Sequence, residues 1–283
     1  KHEGELGISC EECHGPGSKH VQEAKDAKMQ GKPLVASLTT TIHPLKDLNA
    51  LQQTQICSQC HGRGTNKEIK EVSFPLGFLP GDTNINDHLM FWSYSGTANK
   101  DQAKYFYNND WAKRNRQQTQ DFLKSAHANQ ADMSCLTCHS FHGKSESYQL
   151  RQEPQKLCTE CHTATGTAKR PNQEMFKGSP MEQAGVKCID CHMSKIGYRS
   201  DKTEKTPHQW DVSSHTFMVS TPELSKNTGM RSSCVSCHTS EGEPRKLKSG
   251  IVPIAYDNDT LSIMVKSKQK DKKKSIQNIQ ALL

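Results

Sequence analysis

The sequence predicts a mostly α-helical, loop-rich chain with little β structure, whose core is built more from bound cofactor than from side chains. Two observations predict it. The pentapeptide Cys-x-x-Cys-His occurs six times and uses all twelve cysteines. The apolar fraction is only 33%, cysteines included, and the mean hydropathy is −0.81. That supply is thin for a conventional core in a chain of 283 residues.

The repeated pentapeptide has a specific chemistry. Two cysteines separated by two residues bring both sulfurs to one edge of a porphyrin, where each forms a thioether bond. The next residue then directs its imidazole at the iron. The pairs are Cys10 and Cys13, Cys57 and Cys60, Cys135 and Cys138, Cys158 and Cys161, Cys188 and Cys191, and Cys234 and Cys237; the proximal histidines are His14, His61, His139, His162, His192 and His238. Disulfides need no His after each second Cys. Structural zinc takes two such pairs per ion, or one pair plus spaced histidines. A thioredoxin-like motif occurs once per domain. With His at 14 of 283 positions, six of six by chance has a probability on the order of 10⁻⁸. Six covalent c-type haems are the expectation, and six flat porphyrins supply the apolar surface that the side chains lack.

Charge points to no nucleic-acid partner. The formal charge is +7 and the pI 8.7, but each oxidised haem with two ionised propionates brings about −1, leaving a holoprotein near +1. Lysines and arginines are expected to pair with propionates and water. The sequence starts at Lys1 and has no apolar run long enough to span a bilayer. Covalent haem attachment takes place outside the cytoplasm, so a periplasmic or extracellular protein with its signal peptide removed is expected, with membrane contact only through a partner.

The elements follow from local patterns. Gly15-Pro16-Gly17 is a turn beyond the first motif, and Ser18 is read as the N-cap of a polar helix over 19–30, with His20 in its first turn. His43 precedes Pro44 and is extended, open between ligand and surface residue. The 78 residues from Cys57 to Cys135 hold ten of the seventeen aromatics, which reads as packing against haem and as local core. His88 stands beside the apolar run 89–92, which suits a buried ligand. The pattern over 101–130 is helical, with His127 late in it and aimed at the next motif. The third, fourth and fifth motifs are only 23 and 30 residues apart, so their haems must be near neighbours. His142 follows His139 too closely to reach the other face of the same iron and is expected to serve a neighbouring haem. The run 216–219 reads as strand-like or extended, with His215 at its start. Residues 1–245 form the haem domain; 246–283 are a basic extension without haem, for docking to an acidic partner or subunit, or partly disordered.

The stretch Gly7 to His20, with Cys-Glu-Glu-Cys-His-Gly-Pro-Gly-Ser-Lys-His, resembles a large family of multihaem cytochromes c. Its relatives include the tetrahaem electron carrier of hydroxylamine oxidation, the pentahaem nitrite reductases and the octahaem hydroxylamine oxidoreductases. Similar stretches lie at 57–63, 80–88, 120–127, 135–143 and 215–224, in order, and together cover about 7–240. The resemblance implies distal-ligand roles for His20, His88, His127, His142 and His215. Family members often carry further haem motifs upstream, which leaves room for Lys1 to lie inside a longer precursor.

Eight histidines stand outside the motifs. Six haems with His on both faces would use six, the sixth being His43, His208 or His2, or a residue of another subunit; methionine is the rival axial ligand. A closed, six-coordinate iron passes electrons and binds no substrate, whereas an open one is a catalytic candidate. The reading is electron transfer through a chain of mainly bis-His haems, serving redox proteins or other multihaem subunits. Its alternatives are an oxidoreductase of small nitrogen or sulfur compounds at one open haem, and a subunit of a homo-oligomer or filament.

Overall fold

A computed structural model describes residues 8–33, 42–81, 84–94, 102–142, 147–163, 176–199 and 211–238; statements below concern these residues. His2, His208 and the expected extension 246–283 lie outside them. The described chain is helix-rich, with two small antiparallel sheets. Short helices carry the motifs: α1 (Cys10–His14), α3 (Ala50–His61), α7 (Cys135–Cys138), α8 (Pro154–Thr159) and α10 (Cys188–His192), with a 3₁₀ turn at Cys234–Ser236 for the last. Between them run α2 (Ser18–Met29), α4 (Ile85–His88), α5 (Gln102–Tyr105), α6 (Gln118–Leu123), α9 (Pro180–Gln183) and α11 (Pro222–Thr228). None of the described helices is long and apolar enough to cross a membrane.

Capping explains why such short pieces hold. At α3 the Asn49 side chain accepts from the Gln52 backbone N–H, and the Gln52 side chain accepts from that of Asn49. These reciprocal bonds satisfy two of the helix's orphan donors. Ser134 and Thr137 repeat the device at α7, and Glu153 caps α8 by accepting from Gln155 and Lys156.

The apolar core is two small clusters. Phe78, Ile85 and Leu89, with Phe91 against them, lie beside the sheet of β1 (Gly64–Asn66) and β2 (Leu89–Phe91), where Thr65 pairs with Met90. Tyr107, Trp111, Ile196 and Met230, with Leu224, lie beside the sheet of β3 (Lys195–Gly197) and β4 (Val212–Ser213). Polar bonds join the remainder. Thr119 on α6 donates to Ser58 on α3, which donates on to the Thr54 carbonyl. The Gln120 amide clasps the backbone of Arg63 from both sides. Buried polar groups persist only when paired in this way.

Three expectations change. The helix over 101–130 is broken into α5 and α6. Between them Phe106 pairs with Ala112 in a tight antiparallel bridge, turned at Asn108-Asn109-Asp110, with Asp110 at φ 67°. Asn and Asp tolerate that left-handed region, and the bridge buries Phe106, Tyr107, Trp111 and Ala112 together, which no single helix face would do. The helix after the first motif starts at Ser18 itself, with Gly17 as N-cap and no side-chain cap bond. The run 216–219, expected to be strand-like or extended, forms no described strand pairing and leaves the extended region at Phe217; pairing stops at Ser213. The Ser214 and Thr216 hydroxyls accept from the backbone N–H groups of Thr216 and Met218, competing with a ladder, and Phe217 sits at φ 56°.

The buried Tyr107 hydroxyl donates to the Ile196 carbonyl at 2.7 Å, tying the bridge to β3. Tyr107→Phe strands that carbonyl, and a lower denaturation midpoint, equivalent to about 1–2 kcal/mol, is expected in chemical unfolding.

Candidate haem sites

Each motif sits on a helical turn for a geometric reason. Residues i, i+3 and i+4 share one helix face, so both sulfurs and the imidazole leave the backbone on the same side. The bond from the His N–H to the first Cys carbonyl closes the turn: 2.9 Å for His139, 3.0 Å for His162 and 2.9 Å for His238. All twelve cysteines are free of disulfides. Among the described residues no three His, Cys, Asp or Glu side chains gather about a metal point, as a zinc site would require.

Successive motifs touch. Gln59 on α3 donates to the Glu12 carbonyl of α1. The Ser134 hydroxyl at the start of α7 donates to the Gln53 amide oxygen of α3 at 2.6 Å, and the closeness of the Cys57 and Cys135 thiols pushes Cys57 up and Cys135 down. Arg151 joins the Thr137 carbonyl to the Glu160 carboxylate, linking the third motif to the fourth. The Cys188 N–H donates to the Gln155 amide oxygen of α8 at 3.0 Å, and the closeness of the two thiols pushes Cys158 up and brings Cys188 down to about 6, against the effect of its burial. The Ser233 hydroxyl bonds the Cys191 carbonyl at 3.0 Å, and burial beside Cys234 raises Cys191 to about 11. The six motifs therefore form one path in sequence order.

The imidazoles are oriented through Nδ1. That atom donates to a backbone carbonyl in His14 (His43, 2.8 Å), His139 (Tyr148, 3.1 Å), His192 (Phe217, 3.0 Å) and His215 (Ser213, 3.2 Å). In His61 its partner is the Gln118 amide oxygen at 3.3 Å. A carbonyl only accepts, so each Nδ1 carries the proton and each Nε2 keeps its lone pair. Burial lowers His139 and takes His215 down to about 4, so both rings are neutral at neutral pH.

Three motif histidines face histidines from outside the motifs. His14 and His142 have ring centroids 5.9 Å apart, His139 and His215 6.5 Å, and His127 and His162 5.8 Å. Two imidazoles bound to opposite sides of one metal through nitrogens at about 2.0 Å have centroids roughly 6.3 Å apart. The residues present thus fit a haem iron between them.

The other candidates are placed differently. His43 gives its backbone to His14, accepting from Nδ1 and donating its own N–H to the His14 carbonyl, while its ring packs on Gly81. Gly81 has φ 85°, and a Cβ there would come within 2.9 Å of that ring. His88 is half-buried, with its ring against Phe78 and Gly77. His20 lies half-buried in the first turn of α2.

Sequence reasoning missed Asp121. Its side chain, 2% exposed, accepts from the Ala112 N–H, the Ser214 hydroxyl and the His215 N–H, pinning the His215 segment to α6. Burial raises its carboxyl, and these donors with Lys124 pull the other way. It lies within the matched stretch 120–127, but the sequence alone does not show that its partners are 93 and 94 residues downstream.

A family model described as a doubled CXXCH motif matches residues 127–167, and one described as cytochrome c552 matches 156–280. The chain is similar to multihaem c-type cytochromes. The first match encloses the third and fourth motifs with His127 and His142; the second runs across the expected boundary at 245. The chain is 22% identical over 241 residues to the multiheme cytochrome MtrA of Shewanella baltica (strain OS185), covering 84% of this chain and 44% of MtrA. Its fold resembles that of the outer cell wall cytochrome OcwA, with TM-score 0.67 and 24% identity over 97% of this chain and 60% of OcwA. It spans less than two thirds of either relative.

Asp121→Ala leaves three donors without their acceptor and is expected to cost roughly 3 kcal/mol. It should also loosen the His215 segment, read as a lower denaturation midpoint in chemical unfolding.

Proposed function

We propose that the chain carries six covalent c-type haems, mainly with His on both faces, and conducts electrons along them. The observation that carries this reading is the unbroken path of motifs, each touching the next in sequence order. When bound, each haem supplies an iron that cycles between ferric and ferrous.

The chain's own residues do the rest. The twelve motif cysteines anchor the cofactors, so none is lost where packing is thin. His14 with His142, His139 with His215, and His162 with His127 close the first, third and fourth sites and keep small molecules from the iron. His20, His43, His88, His2 and His208 are the supply for His61, His192 and His238. The carbonyls bonded to Nδ1 raise the basicity of those rings and fix their direction.

Location and partners follow the same reading. Covalent haem attachment and the relatives' names favour the periplasm or the cell surface. Redox proteins or further multihaem subunits are the partners. The narrower kinship with hydroxylamine-pathway and nitrite-reductase cytochromes rests on the stretches quoted above and on the cytochrome c552 match over 156–280.

Intact mass should show six haems, and the ferric protein a low-spin spectrum. His142→Ala, His127→Ala and His215→Ala should each create one carbon monoxide-binding haem on reduction. Variants that bind no more carbon monoxide than the parent would refute these ligand assignments. A Soret shift of the parent with nitrite or hydroxylamine would favour an oxidoreductase instead.

A further inference from the structure

The three facing pairs are not alike. The ring planes of His14 and His142 differ by 11°, and those of His139 and His215 by 21°. Those of His127 and His162 differ by 87°. One residue stands beside the odd pair. The Phe217 ring lies 4.3 Å from the His127 ring, edge-on at 63°, and 6.2 Å from the His215 ring at 74°. Its carbonyl accepts from His192 Nδ1 at 3.0 Å. Its φ of 56° is rare for an aromatic residue, so its surroundings hold it in place.

We propose that Phe217 is a positioning residue that holds His127 perpendicular to His162, and that its ring and carbonyl join the ligand sets of the third, fourth and fifth haems. This rests on the bis-His reading above. The steric argument is direct. A histidine ring turns about its Cβ–Cγ bond, and that torsion is broad unless packing fixes it. The Phe217 ring packs edge-on against the His127 ring, and that contact restrains its turning toward a plane parallel with His162. The His127 carbonyl accepts from the Gln130 N–H, so the backbone behind the ring is held as well.

The consequence is electronic. An imidazole donates π density into the iron d orbital that lies across its plane. Parallel planes raise one orbital of the pair and split it, whereas perpendicular planes raise both alike. Ferric iron between parallel rings gives a rhombic low-spin spectrum; between perpendicular rings it gives a highly anisotropic one with a single large g value. A haem held between His127 and His162 would therefore differ from those held by the two near-parallel pairs, and the ring angle would be the means of tuning it.

Low-temperature electron paramagnetic resonance of the ferric holoprotein tests this. The parent should show both kinds of signal, and His127→Ala should abolish the anisotropic one and yield a high-spin signal in its place. Phe217→Leu should shift the anisotropic signal toward the rhombic form, and Phe217→Tyr should restore it. Phe217→Met, which fills the space without a rigid edge, carries the same expectation as leucine if leucine lowers haem content. An anisotropic signal unmoved in a fully loaded Phe217→Leu or Phe217→Met protein overturns the proposal, as does a parent with rhombic signals alone; both leave the bis-His reading intact. A parent in which the fourth haem is already high-spin, with His127→Ala changing nothing, overturns that reading itself.

Discussion

The structure depends on a hydrogen bond that has nothing directly to do with iron: the one from imidazole Nδ1 to a backbone carbonyl. An unconstrained histidine offers either nitrogen and turns freely about its last torsion. A carbonyl at about 3 Å selects one tautomer and one plane. His14, His139, His192 and His215 all have such a carbonyl, from His43, Tyr148, Phe217 and Ser213. Two of these acceptors lie in unusual backbone. Tyr148 has φ 62° and Phe217 φ 56°, conformations costing about 1–3 kcal/mol each when held against preference. The loops between motifs therefore present carbonyls to the rings.

This explains how so little apolar residue suffices. Two clusters, around Ile85 and around Ile196, hold the two small sheets. Elsewhere the buried groups are polar and paired: Ser58 with Thr119, Gln120 with Arg63, Asp121 with Ser214 and His215. Each such pair contributes little net stability but is costly to leave unmade. The pairing specifies where the segments go, while burial against cofactor is the proposed source of the missing apolar stabilisation.

The motifs were legible because their chemistry is local. The spacing of cysteines at i and i+3 and histidine at i+4 needs no tertiary information, and each of the six motifs lies on a helical turn that puts them on one side. The long-range partners were not legible. Nothing near Asp121 indicates Ser214, and nothing near His192 indicates the Phe217 carbonyl. The break in the expected helix over 101–130 has the same origin: Phe106, Tyr107, Trp111 and Ala112 are buried together only by folding back at Asp110, and a periodicity count does not see that choice. His43 shows the limit in another form. Its ring, next to Pro44, is open between ligand and surface residue in the sequence, whereas its backbone carbonyl orients His14.

The path of motifs runs in sequence order, but the facing histidines do not. His142, just past the third motif, faces His14 of the first. His215, between the fifth and sixth, faces His139 of the third. His127, ahead of the third, faces His162 of the fourth. In the proposed holoprotein each closed haem is thus a cross-link between distant segments, shortening the loops of the unfolded chain as a disulfide would. The first site cannot close until the third motif is in place, nor the third until residues beyond the fifth arrive. A serial path for electrons and an interleaved set of ligands are then two properties of one arrangement. Conduction needs neighbours to be adjacent, and the crossing ligands hold them adjacent without a conventional core.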